Sequence, residues 1–257
     1  MKDYIPTHLA HQQSARIWRG GMFAFCIMLA ISAGARPTET DDTDTLEKGL
    51  VEIESGVEFE QAADGHEFVL TPAITYGLTN RLEVELGLDH VWEYPLDEPA
   101  AQIWKPAAKF KVKFWTAADG NLSLAFKGKI AFPVTVRGPV GSDDPEGYVR
   151  LLMTKLAGAW QYDLNVGYKY EGAWQVGGDD KFNAGAAVRY KVNAGWQVLA
   201  EVYAAIPGHQ FSGSTALADI AVKYRIRDGL KVDLLVGTGL GRDAIDLRVV
   251  AGLKWEF

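Results

Sequence analysis

Residues 245–257 alternate in character along their whole length. Ile245, Leu247, Val249, Ala251, Leu253, Trp255 and Phe257 are apolar, and the positions between them hold Asp246, Arg248, Val250, Gly252, Lys254 and Glu256. Successive side chains of a β-strand point to opposite faces. One face of this run is therefore apolar to its last residue, and the other is charged or small except at Val250. An ordinary strand is about 5–6 residues long. A run of this length fits a strand tilted across a bilayer, which needs about 9–11 residues plus its ends. In hydrocarbon every backbone N–H and C=O must be paired, so a sheet of such strands has to close on itself.

The same split recurs from Lys48 onward. Val51, Ile53, Val57 and Phe59 alternate with Glu52, Glu54 and Glu58. Leu82, Val84, Leu86 and Leu88 alternate with Glu83, Glu85 and Asp89. Phe110, Val112 and Phe114 alternate with Lys109, Lys111 and Lys113, and Phe126 and Ile130 with Lys127 and Lys129. The sixth run is the least regular. There Leu152, Leu156 and Trp160 define the apolar face, and Leu151 and Met153 blur it. Counted to the end, the runs predict an all-β fold, a transmembrane antiparallel up-and-down β-barrel of about 12 strands over residues 48–257, the even number expected of a single-chain bacterial barrel.

Tight turns rich in Asn, Asp and Gly, which tolerate positive φ, are expected around Asn80, Asp119-Gly120, Gln161-Tyr162-Asp163, Asn193 and Asp228-Gly229. The other connections are mostly longer, and the stretch 133–147 is the longest, a candidate to fold into the barrel. Short periplasmic turns with longer outer loops are the rule for such barrels, which places both ends of the barrel domain on the periplasmic side. A soluble sandwich also alternates. Here, however, the apolar faces run to the strand ends and finish in aromatics such as Tyr76, Trp160, Trp196 and Tyr224, as in the aromatic girdles of membrane barrels. A mean hydropathy of -0.06 is what alternating lipid-facing and lumen-facing residues average to.

Ahead of the barrel, Arg16 and Arg19 precede an apolar stretch at 22–31, and Ala33 and Ala35 follow at the spacing of a cleavage site. The stretch is too short for a transmembrane helix, which takes about 20 residues. The expectation is a signal peptide at 1–35, cleaved after Ala35, and export to the bacterial outer membrane of a Gram-negative cell. Residues 36–47 are acidic and aperiodic, and are expected as an extended periplasmic segment. The single cysteine, Cys26, falls in the apolar stretch, so the mature chain has no disulfide, thiolate metal site or cysteine nucleophile. The net charge of -7 argues against a nucleic-acid partner, which needs a basic patch.

Further residues carry a resemblance. Arg36-Pro37, Thr40-Asp41-Asp42, Leu46-Glu47-Lys48-Gly49 and Tyr76-Gly77-Leu78-Thr79 with Leu82-Glu83 resemble the motifs of the outer-membrane protein family named for the meta-cleavage pathway of phenol degradation. The likeness is specific over residues 36–92 and architectural beyond. It implies a barrel and uptake of small compounds, and supplies neither substrate nor catalytic set. The terminal Phe257, with Trp255 before it, resembles the assembly signal read by the barrel-assembly machinery.

The lumen-side charges segregate, with Glu52, Glu54, Glu58, Glu83, Glu85 and Asp89 early in the chain and Lys109, Lys111, Lys113, Lys127 and Lys129 after them. Two interiors satisfy this pattern. One is a watery, porin-like pore whose opposed acidic and lysine-rich walls orient a solute. The other is a set of cross-strand ion pairs that fills the interior. A barrel of about 12 strands lies between the sizes that are filled and those that are open. His66, His90 and His209 fall near strand ends or loops on different hairpins, and do not converge as metal ligands must. An outer-membrane lipid hydrolase needs a nucleophile and a base on neighbouring strands, and Ser55 has no histidine in register. The expectation is thus passive transport of a small-molecule solute within outer-membrane lipid, with no cofactor, no metal and no catalytic residues. The alternative is a closed structural or loop-binding barrel.

Overall fold

A computed structural model describes residues 38–97, 99–137, 145–170, 180–207, 215–241 and 244–257. The expected signal peptide, Arg36-Pro37, the centre of the 133–147 loop and His209 lie outside them. The strands are β1 (Val51–Ala62), β2 (Gly65–Leu70), β3 (Ala73–Thr79), β4 (Leu82–Pro95), β5 (Ala101–Thr116), β6 (Leu122–Ala131), β7 (Val134–Arg137), β8 (Glu146–Ala157), β9 (Trp160–Tyr170), β10 (Lys181–Lys191), β11 (Trp196–Pro207), β12 (Thr215–Arg227), β13 (Leu230–Gly239) and β14 (Leu247–Glu256).

These segments make twelve barrel strands. β2 and β3 both pair with β1 and with β4, and so are one strand interrupted at Thr71-Pro72. β6 and β7 both pair with β5 and are likewise interrupted at Phe132-Pro133. Proline has no N–H to donate to a ladder, so each break falls where the sequence supplies one. Every pairing is antiparallel between chain neighbours, and β1 returns to β14 in register from Glu52↔Glu256 to Gln61↔Leu247. At that seam the main chains of Val51 and Phe257 exchange two hydrogen bonds of 2.9 Å, which leaves no open sheet edge.

The alternation read from sequence is the alternation between lipid and lumen. Leu86, Phe182, Ile220 and Val236 point outward and are exposed, a contiguous apolar surface that only lipid would cover. Aromatic pairs border it. Trp160–Tyr190, Trp196–Tyr224 and Trp255–Phe257 lie at the end with the short turns, and Phe68–Trp92 and His66–Tyr94 at the other. His66 sits at the start of β2 and His90 within β4, both among rings. Connections at the first end are short, and those at the other are longer except for Ala63-Asp64 between β1 and β2.

The sixth barrel strand differs from the sequence expectation. The hairpin turns at Gly158-Ala159, where Gly158 has φ of 63°, and not at Gln161-Tyr162-Asp163. Trp160 and Tyr162 therefore belong to β9 and face outward. On β8, Val149 and Leu151 face lipid, and Leu152 is fully buried inside. A one-residue slip in register exchanges the two faces of a strand, and three consecutive apolar residues cannot fix it. Leu199, Leu235 and Val250 also point inward and form a buried cluster with Ala221.

Candidate functional site

The lumen is not lined by strands alone. Residues 38–47, the described part of the 36–47 segment expected in the periplasm, run inside the barrel. Thr40 and Thr43 are fully buried there. The chain enters beside the β3–β4 turn, where Asn80 accepts from the Lys48 N–H through Oδ1 (2.9 Å) and from the Thr45 hydroxyl through its carbonyl (3.1 Å). Gly49, with φ of 89°, turns the segment into β1, a conformation that costs glycine little. Gly77 makes room for this turn, since a Cβ there would stand 2.0 Å from the Glu47 carbonyl oxygen. Two of the motifs behind the family resemblance thus form a clasp at the mouth of the barrel.

The segment has no sheet partner, so its backbone groups need others. Wall side chains supply them. Glu201 accepts the N–H groups of Glu39 and Thr40, both at 2.9 Å. Asn165 accepts from the Asp41 N–H (2.8 Å) and donates to the Asp41 carbonyl (2.8 Å). Thr154 accepts from Thr43 (2.9 Å), and Glu83 from Leu46 (2.7 Å). Lys111, Arg150 and Arg189 donate to the carbonyls of Asp44, Glu39 and Thr40.

Its carboxylates meet cations. Asp41 lies 2.6 Å from Lys127, Asp44 lies 2.8 Å from Lys113, and Asp42 lies between Lys111 and Arg189 at 3.9 and 3.6 Å. Glu39 lies between Arg150 and Arg248 at 3.6 and 3.3 Å. Burial alone would raise the carboxyl of Asp42, but Lys111, Arg189 and Lys223 outweigh it and hold that group well below the usual carboxylate range. The same competition lowers Glu39, where Arg248 and Arg150 outweigh desolvation.

All eleven charged residues expected in the lumen point into it, but the two groups do not face each other across an open pore. β4 and β5 are neighbours, so Glu85 sits beside Lys109 (2.6 Å), Glu83 beside Lys111 (3.4 Å), and Asp89 reaches Lys129 (2.9 Å). Glu52 and Glu54 share Lys254, each at 2.8 Å, and Glu58 pairs with Arg248. A transverse field between two separated walls is therefore largely cancelled by contact pairing. Buried pairs add little net stability, but removing one partner costs about 3–5 kcal/mol.

Sequence reasoning missed Arg150, Arg189, Arg248, Glu201 and Asp163, which hold the segment or its contacts. Their inward parity was visible, yet nothing in a strand pattern says what a lumenal arginine meets. Water-sized space remains beside the segment. One cavity of about 240 Å³ is bounded by Asp42, Lys223, Asp233 and Lys254. Another of about 180 Å³ lies between the segment and the β4–β8 wall, at Lys127, Tyr148 and Arg150. Among the described residues no group of side chains is placed to hold a metal ion.

A family model described as "Uncharacterised conserved protein UCP029691" matches residues 23–251. No curated protein matches the sequence. Solved structures do match in fold. The COG4313 outer membrane channel from Pseudomonas putida F1 superposes with a TM-score of 0.67 at 13% identity, over 86% of this chain and 100% of that one. The NanC porin gives 0.57 at 8% identity, over 80% and 98%. The CymD monoaromatic hydrocarbon channel gives 0.50 at 9%, over 82% and 88%.

Proposed function

The chain belongs to the family described as uncharacterised conserved protein UCP029691, and we propose that it is an outer-membrane channel for passive passage of small solutes, with residues 38–47 seated in the pore. The observation that carries this is the composition of the lumen. A barrel built only for stability can fill with packed side chains. This one holds charged groups, an extended polar segment and cavities on two sides of that segment. The segment is held by side chains alone and not by a sheet ladder, so it can leave without breaking the barrel. Glu52, Glu54, Glu58, Glu83, Glu85, Asp89, Lys109, Lys111, Lys113, Lys127 and Lys129 then line the path.

Cleavage after Ala35 rests on the sequence pattern alone. Recognition of Trp255 and Phe257 by the barrel-assembly machinery is supported by their place at the closing seam. Small organic compounds, aromatic ones included, are supported as solutes by the meta-cleavage resemblance and by the fold shared with the CymD monoaromatic hydrocarbon channel. A closed structural barrel is the second reading, favoured by the number of charges already paired inside.

Single-channel recording of the refolded chain 36–257 in a planar bilayer tests the two. Small stable steps are expected, with a severalfold larger conductance for a chain that begins at Glu47. Silence from both correctly folded barrels establishes the closed reading instead.

A further inference from the structure

The segment that fills the lumen is acidic, and the wall that holds it presents a built set of donors for carboxylates. Asp41 is met by Lys127 at 2.6 Å, and Glu39 by Arg150. Arg150 is the more specific of the two. Its side chain is only 6% exposed, and its guanidinium lies over the Tyr148 ring at 4.4 Å and near the Tyr203 ring at 5.7 Å. Aromatic faces on a guanidinium fix its plane, and so the directions of its N–H groups. Nη1 donates to the Glu39 carbonyl at 2.8 Å, while Nε is buried with no hydrogen-bond partner among the described residues. Leaving a buried charged donor unmet is unfavourable, and such a group calls for an explanation. Arg150 also borders the cavity of about 180 Å³ beside the segment, together with Lys127 and Tyr148.

The other charges on that cavity have their own partners. Glu85 is paired with Lys109, Asp89 with Lys129, and Glu58 with Arg248. What the cavity offers an incoming molecule is the Lys127–Arg150 corner, half occupied by the carboxylates of the segment. The fork of a guanidinium matches a carboxylate in two-point geometry.

We propose that the Arg150–Lys127–Tyr148 corner of the lumen is a binding site for small organic carboxylates, which take the places held here by Glu39 and Asp41. This rests on the channel reading and narrows it, because the solute and the segment then compete for the same donors. A solute that binds only where the segment sat favours release of the segment by mass action.

Ligand-observed NMR on the refolded 36–257 barrel tests the site, with butyrate as the probe and butyramide as its neutral isostere. Butyrate is expected to bind at least tenfold more tightly than butyramide. The Glu39→Gln/Asp41→Asn double variant, which leaves the wall intact, is expected to bind butyrate severalfold more tightly, and Arg150→Gln to lose the preference for the acid. Equal affinity for acid and amide overturns the proposal, as does a double variant with unchanged affinity. The double variant keeps the test decisive if Arg150→Gln does not fold. Conductance without butyrate binding removes this site and leaves the channel; butyrate binding by a silent barrel removes the channel and leaves the site.

Discussion

The ammonium of Lys127 on β6 lies 2.6 Å from the carboxylate of Asp41, a residue outside the sheet, with both side chains nearly buried. Eighty-six positions apart in sequence, they pin the segment to the wall of its own barrel. Whether such pins hold or release decides how much of the lumen is open.

Glu201 anchors backbone to wall through one carboxylate that takes two N–H groups. In Glu201→Ala those donors stay buried and unmet, at a cost of about 1–3 kcal/mol. Amide hydrogen exchange at Glu39 and Thr40 should accelerate roughly 5- to 160-fold, with the strand amides of β11 unchanged. Equal protection in wild type and variant would show that the segment is held elsewhere.

Gly185 on β10 is the notch that admits Thr40. A Cβ built there stands 2.4 Å from Thr40 Oγ1, closer than van der Waals contact allows. Gly185→Ala should lift the segment while leaving the barrel closed. Trypsin cleavage after Lys48 in the folded protein should then be faster, with the barrel fragment still resistant.

Ile220 on β12 is 70% exposed on the outer wall. If that wall faces hydrocarbon, Ile220→Arg should destabilise the barrel by about 2–4 kcal/mol, read by urea titration in lipid vesicles. Ile220→Leu should cost less than about 1.5 kcal/mol. A tolerated arginine would place Ile220 away from the lipid midplane.

Acid should loosen the segment. Asp42 is faced by Lys111, Arg189, Lys223 and Asp41, and Glu39 by Arg248, Arg150, Lys169, Glu201 and Asp41. Both carboxyls are lowered when docked. Released, they titrate near about 4. A group lowered in the docked state favours docking above its released value and loses that contribution as pH falls below it. Exchange at Thr40 and Thr43, taken relative to the intrinsic amide rate at each pH, should therefore rise between pH 5 and pH 3, before the strand amides lose protection. Asp42→Asn should flatten that rise.

What the sequence determined is the barrel. Alternation at period two fixed which side chains of the terminal run face lipid, and its length and aromatic ends fixed the solvent. The interruptions at Thr71-Pro72 and Phe132-Pro133 came from the pairing, and the second opens a stretch that the sequence read as a loop. Where three apolar residues met, as at Leu151, Leu152 and Met153, the pattern was mute and parity had to come from pairing with β6 and β9. The site was legible only by half. That Glu85 and Lys109 point inward followed from parity, but that they are adjacent followed from register. The place of residues 38–47 was not legible at all. An aperiodic acidic stretch looks the same in solvent and in a lumen, and only closing the barrel brings Arg150 on β8, Arg189 on β10, Glu201 on β11 and Arg248 on β14 around it. Local pattern is set by neighbours in sequence, whereas the charge at the centre of a ring is set by every strand at once.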